Sequence, residues 1–236
     1  HRDEADHAAV VLVAGEGPVL PWIPPADNLQ LAGKLLRAGA ETPAGGAALT
    51  TRFAELLRLP LERGHNLLHP RYLGHQVPAP LPLAGLLQSV GTVLNHVMAI
   101  YEMGPWATAV ERALIDLWGE RVGLQPGTFA GLVTNGGSLA NLTALLTARN
   151  VVFPEVWQQG FARDRALPVL LVQADAHYCI ARSAGILGLG TQQIIKLPLN
   201  ERRQLDVAAL RKQLSELQGA GRPILAVVAT AGATPI

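Results

Sequence analysis

Gly131 to Asn150 reads GLVTNGGSLANLTALLTARN. An apolar run leads into a glycine pair, Gly136 and Gly137, and Ser138 then opens a stretch of helical periodicity. The order is strand, glycine turn, helix. The first amides of a helix have no partner within it, and glycines let a ligand come close, so this order makes an anion site, most often for a phosphate. Ser138 reads as the helix N-cap. Taken alone, the segment is read first as an ordinary strand-to-helix turn with a serine cap, ahead of the anion site. No Gly-Lys-Ser/Thr follows the glycines, so it is not a Walker loop, and the GxGxxG dinucleotide pattern is incomplete.

Downstream of the glycine pair the pattern alternates. Strands are predicted at Phe129–Thr134, Val169–Gln173, Gln192–Leu197 and Ile224–Thr230, with helices at Leu139–Arg149, Tyr178–Leu187 and from an Asp206 cap to about Leu217. Near-continuous apolar strands alternating with helices imply an α/β layer whose mainly parallel sheet is covered on both faces. Ligands of such sheets sit at the carboxyl ends of the strands. Gly136, His177 and Thr234 each follow a predicted strand and are expected at one edge.

Upstream the chain is helical and punctuated by proline. Asp27 is placed as the cap of a helix through Leu31, Leu35 and Leu36, and Leu49–Leu59 is a second striped segment. His65 to Pro80 holds three prolines and cannot be regular helix. A helix from Leu83 to Ala99 follows, and Pro105 suits the first turn of the next, striped by Val110, Ala113, Leu114 and Leu117. The organisation is a helical N-terminal segment, 1–95, before an α/β part, 96–236.

Composition narrows the function classes. Hydrophobic residues make up 49% of the 236 and charged residues only 16%, so much apolar surface is expected to meet a partner or a continuation of the chain. Nineteen Lys+Arg against 18 Asp+Glu give a net charge of +1, which argues against a nucleic-acid partner. No apolar run approaches the length of a bilayer span and the first residues lack a signal-peptide pattern, so no membrane partner is expected. Cys179 is the single cysteine, which excludes an intrachain disulfide and fits a small buried filler in a reducing, cytoplasmic setting. His65, His69 and His75 are spaced by four and then six residues with Pro70 between them, which matches no zinc signature, and no metal is expected.

Several segments together carry a family resemblance. Thr134 to Asn141 resembles a T-S-G-G-S-x-A-N phosphate loop, Ala176-His177-Tyr178-Cys179 an A-H-Y-S segment, and Thr230 to Thr234 a T-A-G-T-T turn. His69 to Gln76 and Met98 to Pro105 also match family segments. In order and at suitable spacing, these resemble the group II pyridoxal-phosphate (PLP) amino acid decarboxylases, of the glutamate and aromatic amino acid type, over about residues 65–236. The resemblance implies an aminotransferase-like, fold-type I large domain with a mainly parallel sheet, here truncated and preceded by the helical segment as dimer arm and substrate loop. It implies decarboxylation of an L-amino acid to the amine and CO2 by a homodimer.

Position by position, the resemblance gives Gly137 and Ser138 to the cofactor phosphate and His177 to the ring, where it stacks and handles protons. Thr234 would sit beside the ring near the reacting carbon, and His75 and Gln76 would line the substrate pocket. Val97 and Ala99 match a stretch offered to the neighbouring subunit. Asn135, Cys179 and Ala233 stand where the family favours Ser, Ser and Thr. The family's aspartate for the pyridine nitrogen and its Schiff-base lysine have no counterpart here, since Lys34, Lys196 and Lys212 lie in other contexts. They are expected on a second chain or a missing C-terminal part, with this chain alone inactive. An aldehyde synthase or C–C lyase of the same fold, and a non-catalytic partner subunit, stay open as alternatives.

Overall fold

The computed structural model describes residues 26–28, 30, 31, 34, 46–67, 69–73, 80–162 and 166–232. His75, Gln76 and Thr234 lie outside the described residues. The chain divides into two units, His1–His96 and Val97–Ile236.

In the first unit, α1 spans Gly46–Arg63 and α2 spans Pro82–Leu94. Asp27, expected as a cap, lies within helical residues. Proline occupies the first turn of α2, where its missing N–H costs nothing. The helix stops at Leu94 rather than at Ala99, because Asn95 turns left-handed (φ 48°) and its N–H closes onto Gly91 O. Asparagine is among the few residues that adopt this conformation readily, and apolar periodicity alone does not reveal it. No residue of α2 is buried; Leu83, Leu86, Leu87, Val90 and Val93 are all exposed.

The second unit opens with a 3-10 turn, Tyr101–Met103, and α3, Pro105–Arg121. The helices α4 (Gly137–Val152) and the short α5 (Val156–Gln159) precede strand β1 (Val169–Gln173). Helix α6 (Cys179–Ile186), a 3-10 turn (Thr191–Gln193) and strand β2 (Ile194–Leu197) follow. Helix α7 (Val207–Gly219) and strand β3 (Ile224–Val228) complete it. As the sequence predicts, Asp206 caps α7: its carboxylate accepts from the amides of Ala208 (2.8 Å) and Ala209 (3.0 Å).

The three strands form a parallel sheet in the order β2-β1-β3. Side chains alternate across a strand, and β1 uses both faces for burial. Leu170 and Val172 join Leu145, Cys179, Ile180, Ala184 and Leu187, so α4 and α6 cover one face. Val169 and Leu171 join Leu197 and Leu217, with Leu210 and Leu214 packed alongside, so α7 covers the other. The α6 crossover therefore runs on one side of the sheet and the α7 crossover on the opposite side.

One predicted strand is absent from this sheet. Phe129–Thr134 forms neither helix nor strand and pairs with no strand among the described residues. It lies instead against α3, at two glycine contacts. A Cβ on Gly119 would stand 2.0 Å from the Phe129 ring, and one on Gly131 would stand 2.9 Å from Ile115 Cγ2. Alternation of apolar residues reports an extended chain, not the ladder partner that makes it a strand.

Among the described residues, no helix is long and apolar enough to cross a membrane. Leu170, with no exposed surface at the centre of the core, is the sharpest test of this packing. In the intact protein, Leu170→Ala is expected to cost about 2–5 kcal/mol. Urea titration followed by fluorescence measures this, and a loss under 1 kcal/mol would contradict a close-packed β1.

Candidate functional site

Two turns at the carboxyl side of this architecture carry the chemistry the sequence singles out. The first leads into α4. Gly136, not Ser138, is the residue before the helix, and no side chain caps it. The serine expected as N-cap is the second helical residue, because the helix already begins at Gly137. Gly136 has φ 95° and ψ 154°, a combination essentially confined to glycine. The turn is braced internally: Gly136 N–H donates to Thr134 O (2.9 Å), and the Thr134 hydroxyl donates to Gly136 O (3.0 Å). A Cβ on Gly136 or Gly137 would meet nothing within 4 Å, so no side chain crowds these two glycines.

The segment feeding this turn is tied to α3. The Val133 N–H donates to Glu111 Oε1 at 2.8 Å, across 22 residues. A carboxylate thus takes the place of a ladder carbonyl for this amide. Nothing in the sequence singles Glu111 out, since one glutamate on a helix reads as a solvated residue.

The second turn leaves β1. Ala174 N–H reaches Leu197 O (2.9 Å), extending the β1–β2 pairing, and Ala176 N–H closes onto Gln173 O (3.0 Å). His177 follows, exposed, two residues before α6 begins at Cys179. Its Nδ1 accepts the Cys179 N–H at 3.2 Å, so the neutral ring carries its hydrogen on Nε2. The neighbouring Tyr178 ring lies 4.2 Å away, centroid to centroid, at a tilt of 37°, and the Arg182 guanidinium sits 4.9 Å over the Tyr178 ring. The imidazole is therefore held at one edge while Nε2 is left for chemistry.

The helices that carry the two turns are joined. Asn141 Nδ2 donates to Cys179 Sγ at 3.2 Å. Asn141 stands one helical turn beyond Ser138, and Cys179 two residues beyond His177. Cys179 is buried, as expected for a filler, but it also serves as the acceptor that links α4 to α6. This partnership joins residues 38 apart, and no local pattern announces it.

Asp175, between β1 and His177, pairs with Arg203 from the connection after β2. That connection is a tight hairpin, with an antiparallel bridge between Leu199 and Leu205. Asn200 Oδ1 accepts the amides of Arg202 (3.0 Å) and Gln204 (2.9 Å). Arg203 at its tip has φ 58°, which costs an L-residue about 1–2 kcal/mol.

The remaining sequence candidates sort as follows. His69 Nδ1 accepts the Arg71 N–H (3.1 Å), and the His65 ring meets Tyr72 edge-on, 6.5 Å between centroids. A cavity of about 480 Å³ among the described residues is lined by Phe153, Val156, Phe161, Leu167, Pro168 and Pro223 among others. Leu167 and Pro168 precede β1 and Pro223 precedes β3, so this cavity opens at the amino edge of the sheet, away from His177. It is not the candidate site.

Residues 67–236 match the model of the pyridoxal-dependent decarboxylase conserved domain. Among curated proteins, the chain is 27% identical over 202 residues to an L-2,4-diaminobutyrate decarboxylase of Acinetobacter baumannii, covering 80% of this chain and 39% of that protein. It is 30% identical over 199 residues to a glutamate decarboxylase-like protein of Gibberella zeae, covering 81% and 36%. Among solved structures, it superposes on the glutamate decarboxylase domain of a diaminobutyrate-pyruvate transaminase and L-2,4-diaminobutyrate decarboxylase from Vibrio parahaemolyticus. The TM-score is 0.82 at 19% identity, over 98% of this chain and 50% of that one. The chain thus spans less than half the length of these curated relatives and half of the matched structure. With the family model matched over most of its length and the fold in agreement, the chain belongs to the pyridoxal-dependent decarboxylase family, whose cofactor is pyridoxal phosphate.

Proposed function

We propose that the protein removes the carboxylate of an L-amino acid as CO2, leaving the amine, and that this chain supplies the phosphate-binding and ring-stacking part of the site. The unit from Val97 onward is the first part of the cofactor-binding domain on this reading. The observation that carries it is the pairing of two turns through the Asn141–Cys179 bond. One is a helix start with no side-chain cap and two uncrowded glycines; the other presents a histidine held by a single ring nitrogen.

The residues fit the cofactor. A phosphate before Gly137 would accept the free amides of the first turn of α4 and the Ser138 hydroxyl, with the helix dipole favouring its charge. Gly136 and Gly137 put no Cβ in the way. His177 would lie flat against the pyridine ring, its plane set by the Cys179 N–H, with Nε2–H as the proton it can offer. The bound cofactor supplies an electron sink for the pair left when the Cα–carboxylate bond breaks. Which bond breaks depends on its angle to the ring, so residues that fix the ring plane also choose the reaction.

His75 and Gln76 are assigned to the substrate and Thr234 to the ring side by the family match alone. The Schiff-base lysine and the pyridine-nitrogen aspartate are assigned to polypeptide outside this sequence. The bare apolar face of α2, together with exposed Trp106, Val110 and Leu117 on α3, supports a homodimer, because monomers rarely leave large apolar patches open. A cytoplasmic setting agrees with the one reduced, buried cysteine.

Borohydride reduction of the native protein, followed by denaturing intact mass, is expected to leave a pyridoxyl adduct on its complete polypeptide or on a second one. No adduct after PLP is supplied would sink the enzyme reading. With L-amino acids, amine and CO2 are the expected products; an aldehyde would move the protein to the synthase chemistry of the same fold.

The phosphate assignment has its own test. Ser138→Ala is expected to weaken PLP binding roughly ten-fold, the worth of one charge-assisted hydrogen bond. Gly136→Ala is expected to cost about 1–3 kcal/mol of stability, although its methyl group meets nothing, because the backbone conformation excludes a Cβ-bearing residue. Absorbance titration and thermal melts separate the two effects. Ser138→Ala with unchanged affinity would remove this serine from the phosphate site.

A further inference from the structure

The turns that follow β1 and β2 leave the sheet toward opposite faces, since α6 and α7 cover opposite sides. The last backbone bond between their chains is Ala174 N–H to Leu197 O at 2.9 Å. Beyond that point the Asp175 carboxylate and the Arg203 guanidinium supply the connection. Asp175 is only 21% exposed at its side chain, while Arg203 is 55% exposed. Neither residue has a place in the cofactor chemistry described above.

Three observations argue that this contact has a use. Arg203 takes a left-handed conformation (φ 58°) where glycine would be unstrained, so its side chain offsets a backbone cost. The hairpin beneath it is stiffened by the two Asn200 Oδ1 bonds, by Asn200 N–H to Gln204 O (2.8 Å) and by Asp206 N–H to Pro198 O (3.0 Å). Its partner stands two residues before His177, in a turn otherwise held from the helix side through Cys179.

We infer that Arg203 is a positioning residue: through Asp175 it latches the turn that presents His177, and so sets the plane of the imidazole. This rests on the cofactor reading of His177. The latch is electrostatic and half-exposed, so salt should loosen it.

The test compares wild type, Arg203→Gly, Asp175→Asn and the double variant in the intact protein. Arg203→Gly keeps the left-handed turn without strain, and Asp175→Asn keeps the shape without the charge, so neither should fail by misfolding. Two readouts are taken: amide hydrogen exchange of residues 176–180 without added cofactor, and PLP affinity with circular dichroism of the bound chromophore. Each single variant is expected to speed exchange in 176–180 but not in β1, to raise the PLP Kd about two- to five-fold and to alter the dichroism. The double variant should be no worse than the worse single one. Arg203→Lys should restore part of the loss, and about 0.5 M salt should bring wild type toward the variants.

Unchanged exchange would overturn the latch whatever the cofactor does. Faster exchange with unchanged affinity and dichroism would overturn its link to His177. Faster exchange in a protein whose wild type binds no PLP would leave the latch standing and remove the cofactor reading.

Discussion

Burial of β1 on both faces is the constraint on which the α/β unit depends. A five-residue strand with no side turned to water needs a neighbour strand on each edge and a helix on each face. Once those are in place, little about its exit is free. The chain must leave Gln173 at the carboxyl edge, turn within a few residues and return along α6, whose Cys179, Ile180 and Ala184 complete the core. His177 is thus delivered to the edge of the sheet by apolar packing. It remains exposed two residues before a helix that is buried on its inner side.

The same logic explains how the glycine turn is held without a ladder. Phe129–Thr134 has amides and carbonyls that a chain outside helix and sheet must satisfy somewhere. Glu111 takes the Val133 amide, and the glycine contacts at 119 and 131 bring α3 close to the segment. A carboxylate acceptor and the loss of two Cβ atoms therefore do part of what a neighbouring strand would do. Farther along, Asn141 couples α4 to α6 by a polar bond to a buried sulfur, so the two turns share one framework.

Much of this was legible in the sequence, for identifiable reasons. Val169–Gln173 stands out because a short, near-continuous apolar run between turn signals is what a doubly covered strand requires, and Asp206 because a side-chain cap is a local interaction. The glycine pair and His177 are legible as chemistry because each follows a predicted strand, although only the strand before His177 pairs in the sheet. The features that escaped are non-local or conformational. Ser138 looked like a cap because the sequence does not show that Gly136, in a glycine-only conformation, ends the turn first. Apolar periodicity carries α2 past its true end because left-handed Asn95 leaves that periodicity intact. Glu111, Asn141 and Arg203 find partners 22, 38 and 28 residues away, where no spacing rule reaches.

On the proposed cofactor reading, a ring that must be held in one plane gives Asn141 and Arg203 a common use, since both act on residues within two positions of His177. An imidazole attached only through its own Cα can rotate, and stacking alone fixes its distance from a neighbour rather than its angle. Here the Cys179 amide pins Nδ1, the Asn141 side chain pins the helix that carries that amide, and Asp175 pins the turn on the other side. Each contact is worth little singly, the ion pair least of all because its arginine is half in water. Acting on one short loop from different elements, they restrict different rotations, so their effect on orientation exceeds their effect on stability. For chemistry in which the angle of one bond decides the product, that is where such residues have most influence.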